Sequence, residues 1–298
     1  MPIKIPDNSP AELILKDEGV DIIRDRVALR QDIRPLRILL LNLMPTKVNT
    51  EVQIARLLSH TPLQVELSLL TTASYRPTNT SAEYLQAFYR TLDEVRSRRF
   101  DAMVVTGAPV ERLDFEEVDY WQELLEIFDW AKTNVFRRFH ICWGAQAALH
   151  AEYAIDKEPL PEKLFGVYEQ IVREPRAKLL RGFPDRFPTP VSRYTSVSRA
   201  AVEAQPDLRI LVDSHETGVC LMDNVSRGDV YILNHVEYDA ETLRDEYMRD
   251  LIREPGIRAP LNYFENDDPE GAPRNAWRPF GYLLFSNWIY MLYEDTPY

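Results

Sequence analysis

The chain of 298 residues carries 35 Lys and Arg against 47 Asp and Glu, a formal net charge of −12, with 45% hydrophobic and 28% charged residues. These are the proportions of a soluble globular protein with enough chain for a substantial core, and the acidic balance argues against nucleic acid or an anionic membrane as partner, since both draw affinity from clustered Lys and Arg. The two cysteines, Cys142 and Cys220, are too few for a disulfide framework and fit a reducing cytosol.

The opening run Met1 to Asp7 lacks an apolar h-region, so no secretory signal is expected there. The longest apolar stretches, Ile38 to Leu41 and Tyr282 to Tyr293, fall short of the roughly 20 residues that span a bilayer, and a cytoplasmic location is expected. With no internal repeat and no Gly/Ser-rich linker, residues 1–35 read as an extension packed on one main domain, residues 36–298. Within the extension, Ser9-Pro10-Ala11-Glu12 has the pattern of a capping box with proline at the first helical position, opening a short helix through Leu15.

Strands are expected at Arg37 to Leu43, Val65 to Leu70, Ala102 to Thr106, Phe139 to Cys142, Arg209 to Val212 and Val230 to Val236. Such near-continuous apolar runs are what parallel strands buried on both faces require. Helical patterns lie between them, for example Trp121, Leu124, Leu125 and Phe128 after Asp119 as N-cap. Strands alternating with helices predict an α/β fold, a doubly wound, mostly parallel sheet with helices on both faces. Asp267 to Pro273 reads as a surface loop, and Tyr282 to Tyr293 as a helix closing the core.

Ligands of open α/β sheets bind beyond the carboxyl ends of the strands. Three such ends carry informative residues: Asn42 to Lys47, Thr106 to Glu111, and His140 to Gln146. Cys142 stands where an apolar strand meets the small-residue helix Gly144 to Leu149, the arrangement of a nucleophile elbow, and a helix N-terminus favours the thiolate. A buried cysteine acting as a small hydrophobe fits the position equally well. A thiolate nucleophile needs a base and a group to orient it. His235 and Glu237, two apart on an extended run, would face the same side and supply both, whereas alone they read as a core histidine and a solvated charge.

Other chemistry is disfavoured by motif. His215-Glu216 lacks the second histidine of a zinc-protease helix, because Val219 stands there, and His60, His140 and His150 have no metal-ligand spacing with cysteine, so no metal is expected. Neither a phosphate-binding P-loop nor a dinucleotide glycine fingerprint occurs. Cys220, inside the apolar run Val219 to Met222, reads as core.

The runs Asn42 to Glu51, Thr106-Gly-Ala-Pro-Val-Glu111, His140-Ile-Cys-Trp-Gly-Ala-Gln146, Lys163-Leu-Phe-Gly166 and Asn234-His-Val-Glu-Tyr238 together resemble the homoserine O-acyltransferases of the class I glutamine amidotransferase-like superfamily, over essentially the whole chain. The resemblance implies ping-pong acyl transfer for methionine biosynthesis. In it Cys142 takes an acyl group from acyl-coenzyme A as a thioester, and His235, partnered by Glu237, activates the hydroxyl of L-homoserine. It also implies homoserine contacts at Lys163, Ser192 and Arg249, no resident cofactor and a homodimer. By analogy with amidotransferase folds, the oxyanion hole falls to backbone N–H groups near Trp143 and Ala108, with Lys47 a further cation for the oxyanion or the coenzyme phosphates. Within the family, Glu111 goes with acetyl rather than succinyl transfer; a glutamate there repels the second carboxylate of a succinyl group and fills its space. The alternatives kept open are succinyl transfer, a glutamine amidotransferase or thiol hydrolase with the same triad, and a non-catalytic binding module.

Overall fold

The computed structural model describes residues 3–4, 9–17, 22–23, 34–75 and 80–296. Its strands are β1 (Ile3–Lys4), β2 (Ile22–Ile23), β3 (Leu36–Leu41), β4 (Val65–Leu70), β5 (Tyr89–Arg90), β6 (Phe100–Val105), β7 (Val135–Ile141), β8 (Lys157–Val172), β9 (Arg186–Val197), β10 (Leu208–Ser214), β11 (Gly218–Asn224) and β12 (Val230–Ile232). They form one sheet in the order β2-β1-β4-β3-β6-β7-β12-β11-β10-β8-β9, with β5 paired to β4. Pairings from β2 across to β12 are parallel. From β12 outward to β9 they are antiparallel.

The apolar runs are strands because both faces of the parallel half are covered. On β3, Ile38 and Leu40 enter one core with Ile54 and Leu58 of the helix Lys47–Leu58 and with Leu284, Phe285, Trp288 and Ile289 of the C-terminal helix Arg278–Asp295. Leu39 and Leu41 enter the other, with Leu124, Ile127 and Phe128 of the helix Trp121–Asn134 and Ala145, Ala147 and Leu149 of the helix Trp143–Tyr153. This is the expected doubly wound sheet with helices on both faces. Near the chain start, the helix Pro10–Asp17 opens at the proline, with the Ser9 hydroxyl accepting from the Ala11 N–H (3.3 Å), and it buries Ala11 and Leu15.

Three expectations need correction. The antiparallel half built on β8, β9 and β11 was not anticipated, because β8 and β9 are broken by prolines and show exposed or half-buried residues rather than apolar runs. Asp119 is not the N-cap: Tyr120 occupies that place without a side-chain cap, and the chain enters through a turn in which Trp121 N–H donates to Val118 O (2.8 Å). The strand expected over Val230 to Val236 ends at Ile232, so His235 and Glu237 do not share a strand face. The chain bends there because Asn234 turns its amide to the Thr189 hydroxyl (2.8 Å) while His235 N–H donates to Pro190 O (3.0 Å).

The C-terminal helix braces this bend. A Cβ on Gly281 would lie 2.5 Å from Val236 O. Gly281→Ala is therefore expected to push the helix off the segment carrying His235 and cost about 1–3 kcal/mol of stability, the range for overpacking; a melting temperature equal to the parent's would contradict that contact.

Candidate active site

Cys142 lies one residue beyond β7 at φ 51°, ψ −120°, a conformation that non-glycine residues rarely hold and that costs on the order of 1–3 kcal/mol. Its N–H donates to Ile232 O (2.7 Å), and its carbonyl starts the next helix by accepting from Ala145 and Gln146 N–H (3.0 and 3.1 Å). Gly144 makes the turn possible, since a Cβ there would sit 2.4 Å from Thr106 O. The thiol is thus fixed at a helix N-terminus, where the first N–H groups have no partner within the helix. Trp143 is fully buried against Tyr120 and Phe115, while Ala108 is buried in the loop after β6.

His235 is buried and hydrogen-bonded to Cys142. Its Nδ1 lies 2.6 Å from Glu237 Oε1, and its ring stacks on Tyr238 at 4.1 Å. Burial opposes the imidazolium, yet the charges of Cys142 and Glu237 and hydrogen bonds to both outweigh it and hold the charged form well above the usual histidine range. The three residues therefore meet, although by a bend rather than by strand alternation.

Lys163, Ser192 and Arg249 also converge, on two carboxylates that sequence reasoning missed. Lys163 Nζ is 2.8 Å from Asp250 and 3.8 Å from Glu246, and Arg249 pairs with Asp250 (2.8 Å). Ser192 donates to Glu246 Oε2 (2.5 Å), whose other oxygen accepts from Tyr238 (2.8 Å). Glu246 and Asp250 stand four apart on the helix Thr242–Arg253 and so share a face, a signal legible only once that helix is known to line the site. Lys163 Nζ also sits 3.8 Å from the centre of the Phe165 ring.

Glu111 is nearby, accepting from Tyr194 N–H (2.9 Å) and the Thr195 hydroxyl (3.4 Å). Burial pushes its carboxyl up, against the Tyr194 hydrogen bond and the charges of Lys163, His235 and Arg193. Glu111, Lys163, Phe165, Tyr194 and Thr195 line a cavity of about 790 Å³. Lys47 Nζ donates to Asn42 O, beside Glu51, which accepts from Tyr84 and Tyr89 (2.6 Å each). Burial, opposed by Glu51, lowers the Lys47 pKa to about 8. Among the described residues no group of His, Cys, Asp and Glu is placed to hold a metal ion, and no helix is long and apolar enough to cross a membrane.

The homoserine O-succinyltransferase family model matches residues 2–298. Proteins of Sinorhizobium fredii and Brucella canis named homoserine O-acetyltransferase are each 50% identical over all 298 residues and are covered to 97% of their length. Solved structures with a similar fold include a glutamine amidotransferase from Thermotoga maritima (TM-score 0.59, 14% identity, 87% of this chain and 99% of that one) and another from Methylobacillus flagellatus (0.54, 12%, 87% and 95%). At such identities the likeness speaks to fold alone.

The charge on His235 can be tested directly. Glu237→Gln and Cys142→Ala each remove a negative neighbour, so the imidazolium is expected to lose its proton at lower pH in both variants than in the parent, as read by nitrogen NMR of the ring. A titration unmoved in either variant would assign the charge to other groups.

Proposed function

The chain belongs to the homoserine O-succinyltransferase family, and from that premise we propose that it is a homoserine O-acetyltransferase that moves an acetyl group from acetyl-coenzyme A to the hydroxyl of L-homoserine, for methionine biosynthesis. The observation that carries this reading is the junction of Cys142, His235 and Glu237 at the elbow, in a chain 50% identical along its whole length to proteins of that name.

In the proposed cycle the Cys142 thiolate attacks the thioester carbonyl of acetyl-coenzyme A. The tetrahedral intermediate collapses as the coenzyme thiolate leaves with the proton of the His235 imidazolium. Acylation removes the negative charge that helped hold that proton, so neutral imidazole now acts as a base. It takes the proton of the homoserine hydroxyl as the oxygen attacks the acyl-enzyme, and collapse expels the Cys142 thiolate beside a renewed imidazolium. The N–H groups at Trp143 and Ala108 are the proposed oxyanion donors. Lys163, Ser192 and Arg249 hold the amino acid, with Arg249 suited to its carboxylate. We further assign the reaction to a cytoplasmic homodimer, with residues 36–298 as the catalytic domain and residues 1–35 as an extension, much of which lies outside the described residues.

The family model bears the name of the succinyl transfer, and Glu111 is the residue that argues for acetyl. Its half-buried carboxylate opposes a second carboxylate on the donor, and like charges brought together cost several kcal/mol. Glu111→Gly is expected to shift the ratio of kcat/KM for succinyl- over acetyl-coenzyme A upward by about tenfold or more. In the parent that ratio should rise as pH falls, because a carboxyl with a raised pKa is neutralised sooner, and the variant should lack this dependence. Equal ratios in parent and variant would overturn the assignment.

Intact-mass measurement tests the covalent step. The parent is expected to gain one acetyl group from acetyl-coenzyme A and lose it on adding L-homoserine, and Cys142→Ala should gain none. Absence of labelling together with hydrolysis of glutamine would favour an amidotransferase.

A further inference from the structure

Arg193 is a charge that the core alone does not explain. It lies on β9, is 1% exposed, and has no carboxylate within ion-pair distance among the described residues. Its guanidinium is met by neutral oxygens only: one nitrogen donates to Asn234 Oδ1 (2.5 Å) and Leu233 O (3.3 Å), another to Thr217 O (2.6 Å), and Nε has no partner. Another buried guanidinium, that of Arg138, is flanked by the carboxylates of Asp229 and Glu152. A buried cation lacking such a counter-ion costs several kcal/mol, and an apolar side chain would fill the space at no such cost.

Two features say what the charge is for. Its neutral partners Leu233 and Asn234 immediately precede His235, and Asn234 is further tied to Thr189 (2.8 Å) and to the Cys220 sulfur (3.1 Å). Arg193 therefore clamps the bend from which His235 projects. The ionisable groups that act on its charge are Cys142, Cys220, Glu111 and Tyr168. Burial pushes the Cys220 thiol up to about 12 and raises the Tyr168 hydroxyl, which keeps both protonated. Cys142 and Glu111 remain.

We propose that Arg193 is a positioning residue of the acyl-transfer site, fixing the Leu233–Asn234 bend so that His235 reaches Cys142 while supplying the positive charge that favours the Cys142 thiolate. This rests on Cys142 being the nucleophile. The charge and the clamp are separable: Lys retains the former and loses the planar fork, Met loses both, and Asn234→Ala weakens the clamp and leaves the charge in place.

The test is the pH profile of Cys142 alkylation by iodoacetamide, with site occupancy read by peptide mass and folding checked by circular dichroism. Alongside it, kcat for acetyl transfer is measured in the parent, Arg193→Met, Arg193→Lys and Asn234→Ala. The acid limb of the profile is expected to move to higher pH by about one unit in Arg193→Met, a roughly tenfold slower alkylation below that limb. It should move less in Arg193→Lys and Asn234→Ala, which keep the cation, and both should lose kcat by about tenfold or more. If Arg193→Met does not fold, a full kcat in both of the other variants overturns the clamp, and an acid limb displaced by about one unit in both overturns the separate role of the charge. A folded Arg193→Met with the parent's acid limb would leave Arg193 a mere core residue. A parent thiol no more reactive than free cysteine would instead overturn the nucleophile reading itself.

Discussion

The backbone of Cys142 is the constraint on which the site depends. A residue held at positive φ without being glycine persists only where its surroundings leave it no alternative. Here the surroundings are the last β7 residues, the Ile232 carbonyl of the neighbouring strand, and the helix that starts at once behind it. Gly144 is the concession that permits this, because the chain passes against Thr106 with no room for a side chain. What results is a buried thiol held at the N-terminus of that helix.

Around that fixed sulfur the charges are arranged in a closed circuit. Cys142 and Glu237 favour the imidazolium of His235 against its burial, and burial raises the carboxyl of Glu111 against the opposing Tyr194, Lys163, His235 and Arg193. In the proposed cycle, acylation of the sulfur deletes one member of the circuit and changes the others, so that one imidazole acts first as acid and then as base. Lys163 and Arg249 are likewise already engaged, both by Asp250, whose carboxyl burial would raise but whose hydrogen bonds to the two cations hold below its usual range. In the proposed reading an incoming carboxylate meets cations oriented in advance and must compete with the group that orients them.

How much of this was legible beforehand depends on how local the signal was. The parallel strands and the elbow show in the sequence because apolar runs and a small-residue helix are short-range patterns, and Cys142 follows from them. His235 and Glu237 were recognisable as a pair, but for a reason that does not hold: they meet through a bend enforced by Asn234, Thr189 and Pro190, partners more than forty residues apart in the chain. Residues with no local signature, such as Arg193, Glu246 and Asp250, were missed altogether. On a sequence each reads as an ordinary surface charge, and only the packing of β9 and of the helix Thr242–Arg253 turns them inward. The antiparallel half escaped because its long strands carry prolines and half-exposed side chains, which mimic loop composition.

The position of β12 has a consequence for how the protein comes to be functional. This strand of three residues is the seam of the sheet, parallel to β7 on one side and antiparallel to β11 on the other. The sulfur belongs to the parallel half, whereas the imidazole hangs from the seam and is held from behind by β9, the last strand of the antiparallel half. Neither half alone contains a working pair. A chain in which only the parallel half has formed would carry an exposed but unactivated thiol, and activation would arrive with the final closure of long-range strand pairings, the slowest kind of contact to form. On the proposed reading, the chemistry therefore requires both halves of the sheet.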